Sequence, residues 1–132
     1  MIQPDEIRDG LVLRLDPDEL EARGARCASE AAYRVQGPHF FLCVAADGAA
    51  GNWVPLFPGP GPRREMLSKD HKAGTPGWCT SETSFHTEQV WQAPHEAVIK
   101  AAILGGDLSK PGQRNRVTDA GIDLVYATVF GA

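Results

Sequence analysis

Two apolar patterns in the first half of the chain predict β-strands. Leu11, Leu13 and Leu15 recur at every second position, as in a strand with one buried face. The stretch HFFLCVAA (39–46) is apolar at almost every position, has the length of a strand, and is bounded by Gly-Pro and Asp-Gly pairs. Such a run is typical of a strand that is covered on both faces. We therefore predict that 39–46 is the central strand.

Helix signals follow the first strand and return in the last third of the chain. Asp16 and Pro17 are typical of an N-cap and a first helical position, and Gly24 would end this helix. Apolar residues recur at helical spacing over 94–104, which predicts a helix. A similar spacing over 118–130 predicts a terminal helix, with a strand as the alternative because many of these residues are β-branched.

Proline and glycine divide the middle of the chain. Pro55 in WVPLF cannot donate a hydrogen bond to a neighbouring strand, so we predict that this strand lies at an edge or carries a bulge. PGPGP (58–62) predicts a loop, and REML (64–67) a short strand. TSFHTEQVWQ (83–92) is rich in aromatic and β-branched residues and predicts one further strand. The alanine-rich stretch 25–34 fits either a helix or a loop.

Together these elements predict a mainly β, α+β protein, folded as a single domain over 1–132. No apolar run approaches the length of a membrane span, and the N-terminus is acidic where a signal peptide is basic, so a cytoplasmic protein without membrane contact is expected. Cys27, Cys43 and Cys79 are odd in number and are expected to be reduced thiols.

The charge argues mildly against a nucleic-acid binder, because the net charge is −4. Its distribution changes that picture. Residues 1–30 hold eight of the 17 acids, whereas residues 31–118 hold nine Lys and Arg against seven acids. A slightly basic body could therefore present one positive face.

The ordered segments DGLVLRLDP, GPHFFLCVA, WVPLF and SFHTEQVW resemble the PemK/MazF family of bacterial toxins over about residues 8–104. Members of that family have a small SH3-like antiparallel barrel with a helix at its end, and the active ones cut single-stranded RNA without a metal. The resemblance implies a barrel core over 8–104, a C-terminal extension over 105–132, and a homodimer.

The chain departs from the family where the family does its chemistry. An Arg before Pro and a Thr or Ser after Val-Pro-Leu act on the scissile phosphate in active members, and Gly37 and Phe57 stand there in this chain. Neither side chain supplies an acid, a base or a cation. An endoribonuclease activity would therefore depend on Arg34, His39 and His86, although histidines beside apolar residues, as these two are, are more often half-buried packing residues.

Two further sets of residues are candidates for binding. Arg63 and Arg64 could grip phosphates, with a solvated surface pair as the alternative. Trp53, Trp78 and Trp91 could stack unpaired bases or anchor a protein partner, with packing in the core as the alternative.

No metal site or cofactor is predicted, because His71, Cys79 and His86 contain no tight ligand pair such as CxxC or HxxxH. The hypothesis from the sequence is a divergent PemK/MazF-like protein that contacts single-stranded RNA, whose active form would be a metal-independent endoribonuclease toxin of a toxin–antitoxin system. The alternative is a non-catalytic protein-binding module on the same barrel, whose partner would be a protein such as an antitoxin.

Overall fold

The computed structural model describes residues 2–131 and confirms a mainly antiparallel α+β fold. Short 3₁₀ turns lie at Pro4–Glu6, Ala31–Tyr33 and Lys69–His71. The strands and α-helices, in chain order, are β1 (Leu11–Leu15), α1 (Pro17–Ala22), β2 (Arg26–Cys27), β3 (His39–Ala46), β4 (Ala50–Pro58), β5 (Arg64–Leu67), β6 (Lys72–Ala73), α2 (Pro76–Thr80), β7 (Thr83–His86), β8 (Trp91–Pro94), α3 (His95–Leu104), β9 (Asn115–Val117) and α4 (Asp119–Phe130).

The sheet branches at β4, its longest strand. Along the main path the hydrogen-bonded order is β2-β8-β4-β3-β1-β9-β6. The N-terminal half of β4 pairs with β8, while its C-terminal end pairs with β7, which in turn pairs with β5. The path is open, with β2 and β6 at its ends, and the branched sheet is consistent with a small barrel-like fold.

The predicted edge position of WVPLF is wrong, because β4 lies inside the sheet. Pro55 is in register with Phe41 of β3, and the bulge of this strand pair falls on β3 between Cys43 and Ala45. On its other side, β4 pairs with β8 up to Trp53 and with β7 from Leu56. Pro55 is tolerated inside the sheet because it stands where the partner strand on this side of β4 changes from β8 to β7, so no hydrogen bond from its backbone nitrogen is needed there.

The single strand predicted over 83–92 is in fact two strands that run in the same direction along β4. β7 ends at His86 and β8 begins at Trp91, so residues 87–90 leave the sheet opposite the gap at Pro55. A proline offers no N–H to a partner, and the partner strand leaves the sheet at this point. Such interruptions of a ladder often turn side chains toward a functional site.

The predicted central strand is confirmed by the burial of β3 on both faces. Phe41 and Cys43 belong to a hydrophobic cluster that also contains residues of α1 and α3. Leu42 and Val44 belong to a second cluster, which contains residues of β7 and α4. Burial raises the pKa of the Cys43 thiol to about 12, so this cysteine is an inert core residue.

The predicted helices are confirmed, including the choice of helix over strand near the C-terminus. Asp16 accepts hydrogen bonds from the N–H groups of Asp18 and Glu19 and caps α1. Thr118 accepts from the N–H of Gly121 and caps α4. The stretch 25–34 forms β2 and a 3₁₀ turn. Among residues 2–131, no helix is both long enough and apolar enough to cross a membrane.

Candidate functional site

An open groove brings together several of the residues that the sequence singled out. It has a volume of about 420 Å³ and lies where β3, β4, β5 and β7 meet the segment that follows the second 3₁₀ turn. We call it the histidine groove. It is lined by Tyr33, Val35, Gln36, His39, Phe57, Pro62, Arg64, His86 and Gln89.

His86 is held as a neutral imidazole. Its Nδ1 accepts hydrogen bonds from the backbone N–H groups of Glu88 (3.0 Å) and Gln89 (2.8 Å), so the ring proton of the neutral form lies on Nε2. Burial lowers the pKa of His86; the negative charge of Glu88 opposes this shift, and the positive charges of Arg63 and Arg64 add to it. His86 therefore offers an N–H donor at neutral pH and resists becoming an imidazolium.

His39 has the opposite tautomer. Its Nδ1 lies 3.1 Å from the carbonyl oxygen of Gly37. Because a carbonyl oxygen only accepts, Nδ1 carries a proton, and in the neutral ring Nε2 then has the lone pair. The His39 and His86 rings lie 5.6 and 6.3 Å from the Phe57 ring, measured between centroids. One side chain of the groove thus presents an acceptor nitrogen and another presents a donor nitrogen.

Arg64 lies over the same aromatic ring. Its guanidinium carbon is 4.5 Å from the centroid of Phe57, and its Nη2 donates to the carbonyl oxygen of Pro60 at 3.2 Å. β5 pairs with β7 so that Arg64 stands opposite His86. A Cβ atom on Gly61 would overlap the Arg64 guanidinium, so the absence of a side chain at Gly61 lets Arg64 reach Phe57.

Arg63 lies at the rim of the groove and has an unusual backbone. Its φ of 58° is in the left-handed region, although it is not a glycine. Its guanidinium carbon is 5.8 Å from the centroid of the Tyr33 ring, and its Nε is 3.8 Å from Glu88 Oε2. This ion pair is solvent-exposed and contributes little to stability. Arg63 can therefore turn to an external anion at low cost.

Gln89 is a positioning residue to which sequence reasoning gave no role. Its side chain is buried, and its Oε1 accepts from Val35 N–H (3.1 Å) and from Trp91 Nε1 (2.9 Å). Its Nε2 donates to the carbonyl oxygen of Tyr33 at 2.9 Å. These bonds fix one wall of the groove to the core. The signal that could have found it was the Gln of SFHTEQVW, which matches the family motif.

The remaining predicted site residues lie elsewhere. Trp53 and Trp91 are 0% and 1% exposed and pack in the core, so neither can stack on a ligand. Arg34 is engaged within the chain, since it donates to the carbonyl oxygens of Ser29 and Cys27 and pairs with Glu21. Its guanidinium therefore stabilises the segment beside the groove.

Trp78 lies in a second, more apolar cleft. Its Nε1 donates to the carbonyl oxygen of Arg116 at 3.1 Å, and its ring lies 4.3 Å from Lys72 Nζ. The apolar cleft has a volume of about 440 Å³ and shares Phe57 with the histidine groove. It is lined by Phe40, Leu56, Phe57, Pro58, Thr75, Gly77, Trp78, Ser81, Glu82, Thr83 and Asn115.

The described part of the chain contains no group of three His, Cys, Asp or Glu side chains arranged to hold a metal ion. Comparisons of this chain with protein-family models, with curated proteins and with solved structures found no match. The groove must therefore be interpreted from its own chemistry.

Proposed function

We propose that this protein binds single-stranded RNA in the histidine groove. The observation that supports this most is the stack of Arg64 on Phe57, with a donor nitrogen of His86 and an acceptor nitrogen of His39 beside the same ring. Unpaired bases stack on aromatic rings and on guanidinium planes, and their edges need both donors and acceptors. Arg63 at the rim adds a cation for the phosphates.

The same chemistry favours binding over cleavage. Cleavage at the 2′-hydroxyl needs a base for that hydroxyl and an acid for the leaving oxygen. His39 Nε2 has the lone pair of a base. The imidazolium form of His86, which a general acid requires, is disfavoured because Nδ1 accepts from two N–H groups and the pKa is lowered. RNA contact without turnover is thus the function that we propose, in the cytoplasm.

Replacement of Arg64 is expected to weaken RNA binding. In Arg64→Ala we expect the affinity for a fluorescein-labelled single-stranded RNA to fall about tenfold, which corresponds to roughly 1.4 kcal/mol and the loss of one stacking plane. Gly61→Ala should act in the same direction by moving Arg64 off Phe57 without removing its charge. Fluorescence anisotropy at a fixed salt concentration measures the RNA affinity of both variants.

Matched controls separate this effect from a change in net charge or in the backbone. Arg26→Ala removes an exposed arginine from β2, and Gly48→Ala adds a Cβ where nothing lies within 4 Å. Both should bind RNA like the parent protein. Unchanged binding by Arg64→Ala, or an equal loss in Arg26→Ala, would contradict the proposal.

Incubation with single-stranded RNA and a chelator tests whether the groove also cleaves. We expect the RNA to remain intact over hours. Cleavage that disappears in His39→Ala would overturn binding without turnover and assign the protein to the endoribonucleases.

The apolar cleft supports the alternative function, a non-catalytic protein-binding module whose partner would be an antitoxin-like protein. Phe40 lines this cleft and is 45% exposed, so Phe40→Ser should fold. If the alternative holds, Phe40→Ser loses a copurifying protein while Arg64→Ala retains it. If RNA is the ligand, only Arg64→Ala loses RNA binding.

The homodimer implied by the resemblance is tested by the mass of the protein in solution.

A further inference from the structure

A third cleft gathers arginines from distant parts of the chain and shares no lining residue with the histidine groove. We call it the arginine cleft. It has a volume of about 730 Å³ and is lined by Glu6, Arg8, Ala73, Gly74, Thr75, Pro76, Gly112, Gln113, Arg114 and Arg116. Three guanidinium groups therefore face one carboxylate, and the lining has a net positive charge.

Arg114 is a fixed part of the cleft. Its side chain is 3% exposed, and its guanidinium pairs with the Glu6 carboxylate at 3.2 and 3.3 Å, across 108 residues of sequence. It also donates to the carbonyl oxygen of Ser109. The Arg114 side-chain bond lowers the pKa of Glu6 more than any other contact, so this carboxylate is charged at neutral pH.

Arg8 and Arg116 are not neutralised in this way. Within residues 2–131, neither guanidinium forms a hydrogen bond or an ion pair with another side chain. Burial lowers the pKa of Arg116, the charges of Arg8 and Arg114 lower it further, and Glu6 opposes this shift only in part, so the cations repel one another across a partly desolvated surface. A bound anion would relieve this repulsion.

The backbone that carries Arg116 is rigid. Arg116 lies in β9, in register with Leu11 of β1 and with Ala73 of β6. Its carbonyl oxygen accepts from Trp78 Nε1, and the neighbouring Asn115 Oδ1 accepts from the N–H of Thr75 at 3.0 Å. The backbone at Arg116 is therefore held in place before any ligand arrives, which reduces the entropy cost of binding.

We propose that the arginine cleft binds a phosphate monoester dianion. Two unneutralised guanidinium groups match two negative charges, and the planar fork of arginine fits phosphate oxygens in pairs. Gly112 lines the cleft and has nothing within 4 Å of the position that its Cβ would take, so space for a ligand remains there. The terminal phosphate of a nucleic acid and a free phosphate ester share this chemistry.

Titration with inorganic phosphate at pH 8, followed by NMR of the backbone amides, tests the site. We expect saturable shifts at Gly74, Gly112 and Arg116. Arg8→Ala and Arg116→Ala should each weaken binding about tenfold, whereas Glu6→Gln should strengthen it several-fold by removing the competing carboxylate. Arg116→Lys keeps the charge but loses the fork, and should recover only part of the affinity.

Controls make the outcome decisive. Arg26→Ala should bind phosphate like the parent protein, and because Arg8 is exposed, Arg8→Ala should keep the parent's unfolding midpoint. Absence of saturable shifts, or equal affinity in the parent, Arg8→Ala and Arg116→Ala, would overturn the proposal.

Tighter binding of a 5′-phosphorylated dinucleotide than of inorganic phosphate supports a nucleic-acid end as the source of the phosphate, and equal binding supports a free phosphate ester. The variants in this titration change no residue of the histidine groove, so its result is independent of the proposal that this groove binds RNA.

Discussion

Gly10→Ala is expected to lower the free energy of unfolding by about 3 kcal/mol. Gly10 has a φ of 94°, and a left-handed backbone costs an L-residue roughly 1–2 kcal/mol. A Cβ at this position would also overlap the carbonyl oxygen of Val117. That oxygen belongs to the backbone of β9, so the sheet itself must shift to make room.

Gly10 also links three strands, which increases the expected loss. Its N–H donates to the carbonyl oxygen of Cys43 in β3, and its own carbonyl oxygen accepts from Val117 N–H, both at 2.8 Å. Any shift that accommodates the new methyl group weakens one of these bonds. Urea denaturation followed by tryptophan fluorescence measures the effect, since two of the three tryptophans are fully buried.

Gly24→Ala is the matched control. Gly24 has a similar φ of 99°, but nothing lies within 4 Å of the position that its Cβ would take. The free energy of unfolding of Gly24→Ala should fall only by the cost of the left-handed backbone, about 1 kcal/mol. If Gly10→Ala is no less stable than Gly24→Ala, the close approach of Gly10 to β9 is not a determinant of stability.

Lys72→Met is expected to lower the free energy of unfolding by about 2 kcal/mol. Lys72 is 8% exposed, and its Nζ donates to the carbonyl oxygens of Trp78 (3.1 Å) and Ser81 (2.7 Å) and to Thr83 Oγ1 (2.7 Å). It thereby joins β6, one end of the open strand path, to α2 and β7. Methionine fills a similar volume but leaves the carbonyl oxygen of Ser81 without this donor.

The outcome depends on two opposing contributions. Desolvation of the ammonium group opposes folding, and an apolar replacement removes this cost. The lost charge-assisted hydrogen bonds and the contact with the Trp78 ring act in the other direction, and each is worth roughly 1–2 kcal/mol. Because one charge satisfies three oxygens, we expect the losses to dominate. Equal or higher stability of Lys72→Met would show that desolvation dominates.

The pH dependence of the Lys72 effect provides a second readout. Burial lowers the pKa of Lys72 below its usual value of 10.5. Between the lowered pKa and 10.5 the unfolded chain binds more protons at this residue than the folded chain, so its contribution to stability rises with pH. The difference between the parent protein and Lys72→Met should therefore widen in this range. Lys100→Met, at an exposed lysine of α3, should show neither effect.

The histidine groove owes its shape to an irregularity in the sheet. The partner strand of β4 is interrupted opposite Pro55, and the interruption carries Gln89 and begins at His86. The two N–H groups that fix the tautomer of His86 belong to residues in this interruption. The proline that argued for an edge strand thus marks the point where the sheet opens to form the groove.

The sequence by itself determined the elements whose signals are local. The apolar run 39–46, the Asp16 cap and the helical spacing over 94–104 each depend on contacts within a few residues, and each element formed as predicted. The same holds for 118–130, where the cap at Thr118 and the helical spacing prevailed over the β-branched content.

Only the tertiary structure decided which strands are neighbours and which side chains meet. The interior position of β4, the role of Gln89 and the approach of Arg114 to Glu6 all depend on pairing between residues far apart in the chain. The periodicity of a sequence records which face of an element is buried, and it carries no information about the partner that covers it. For this reason the arginine cleft left no signal in the sequence, whereas the strands and helices around it did.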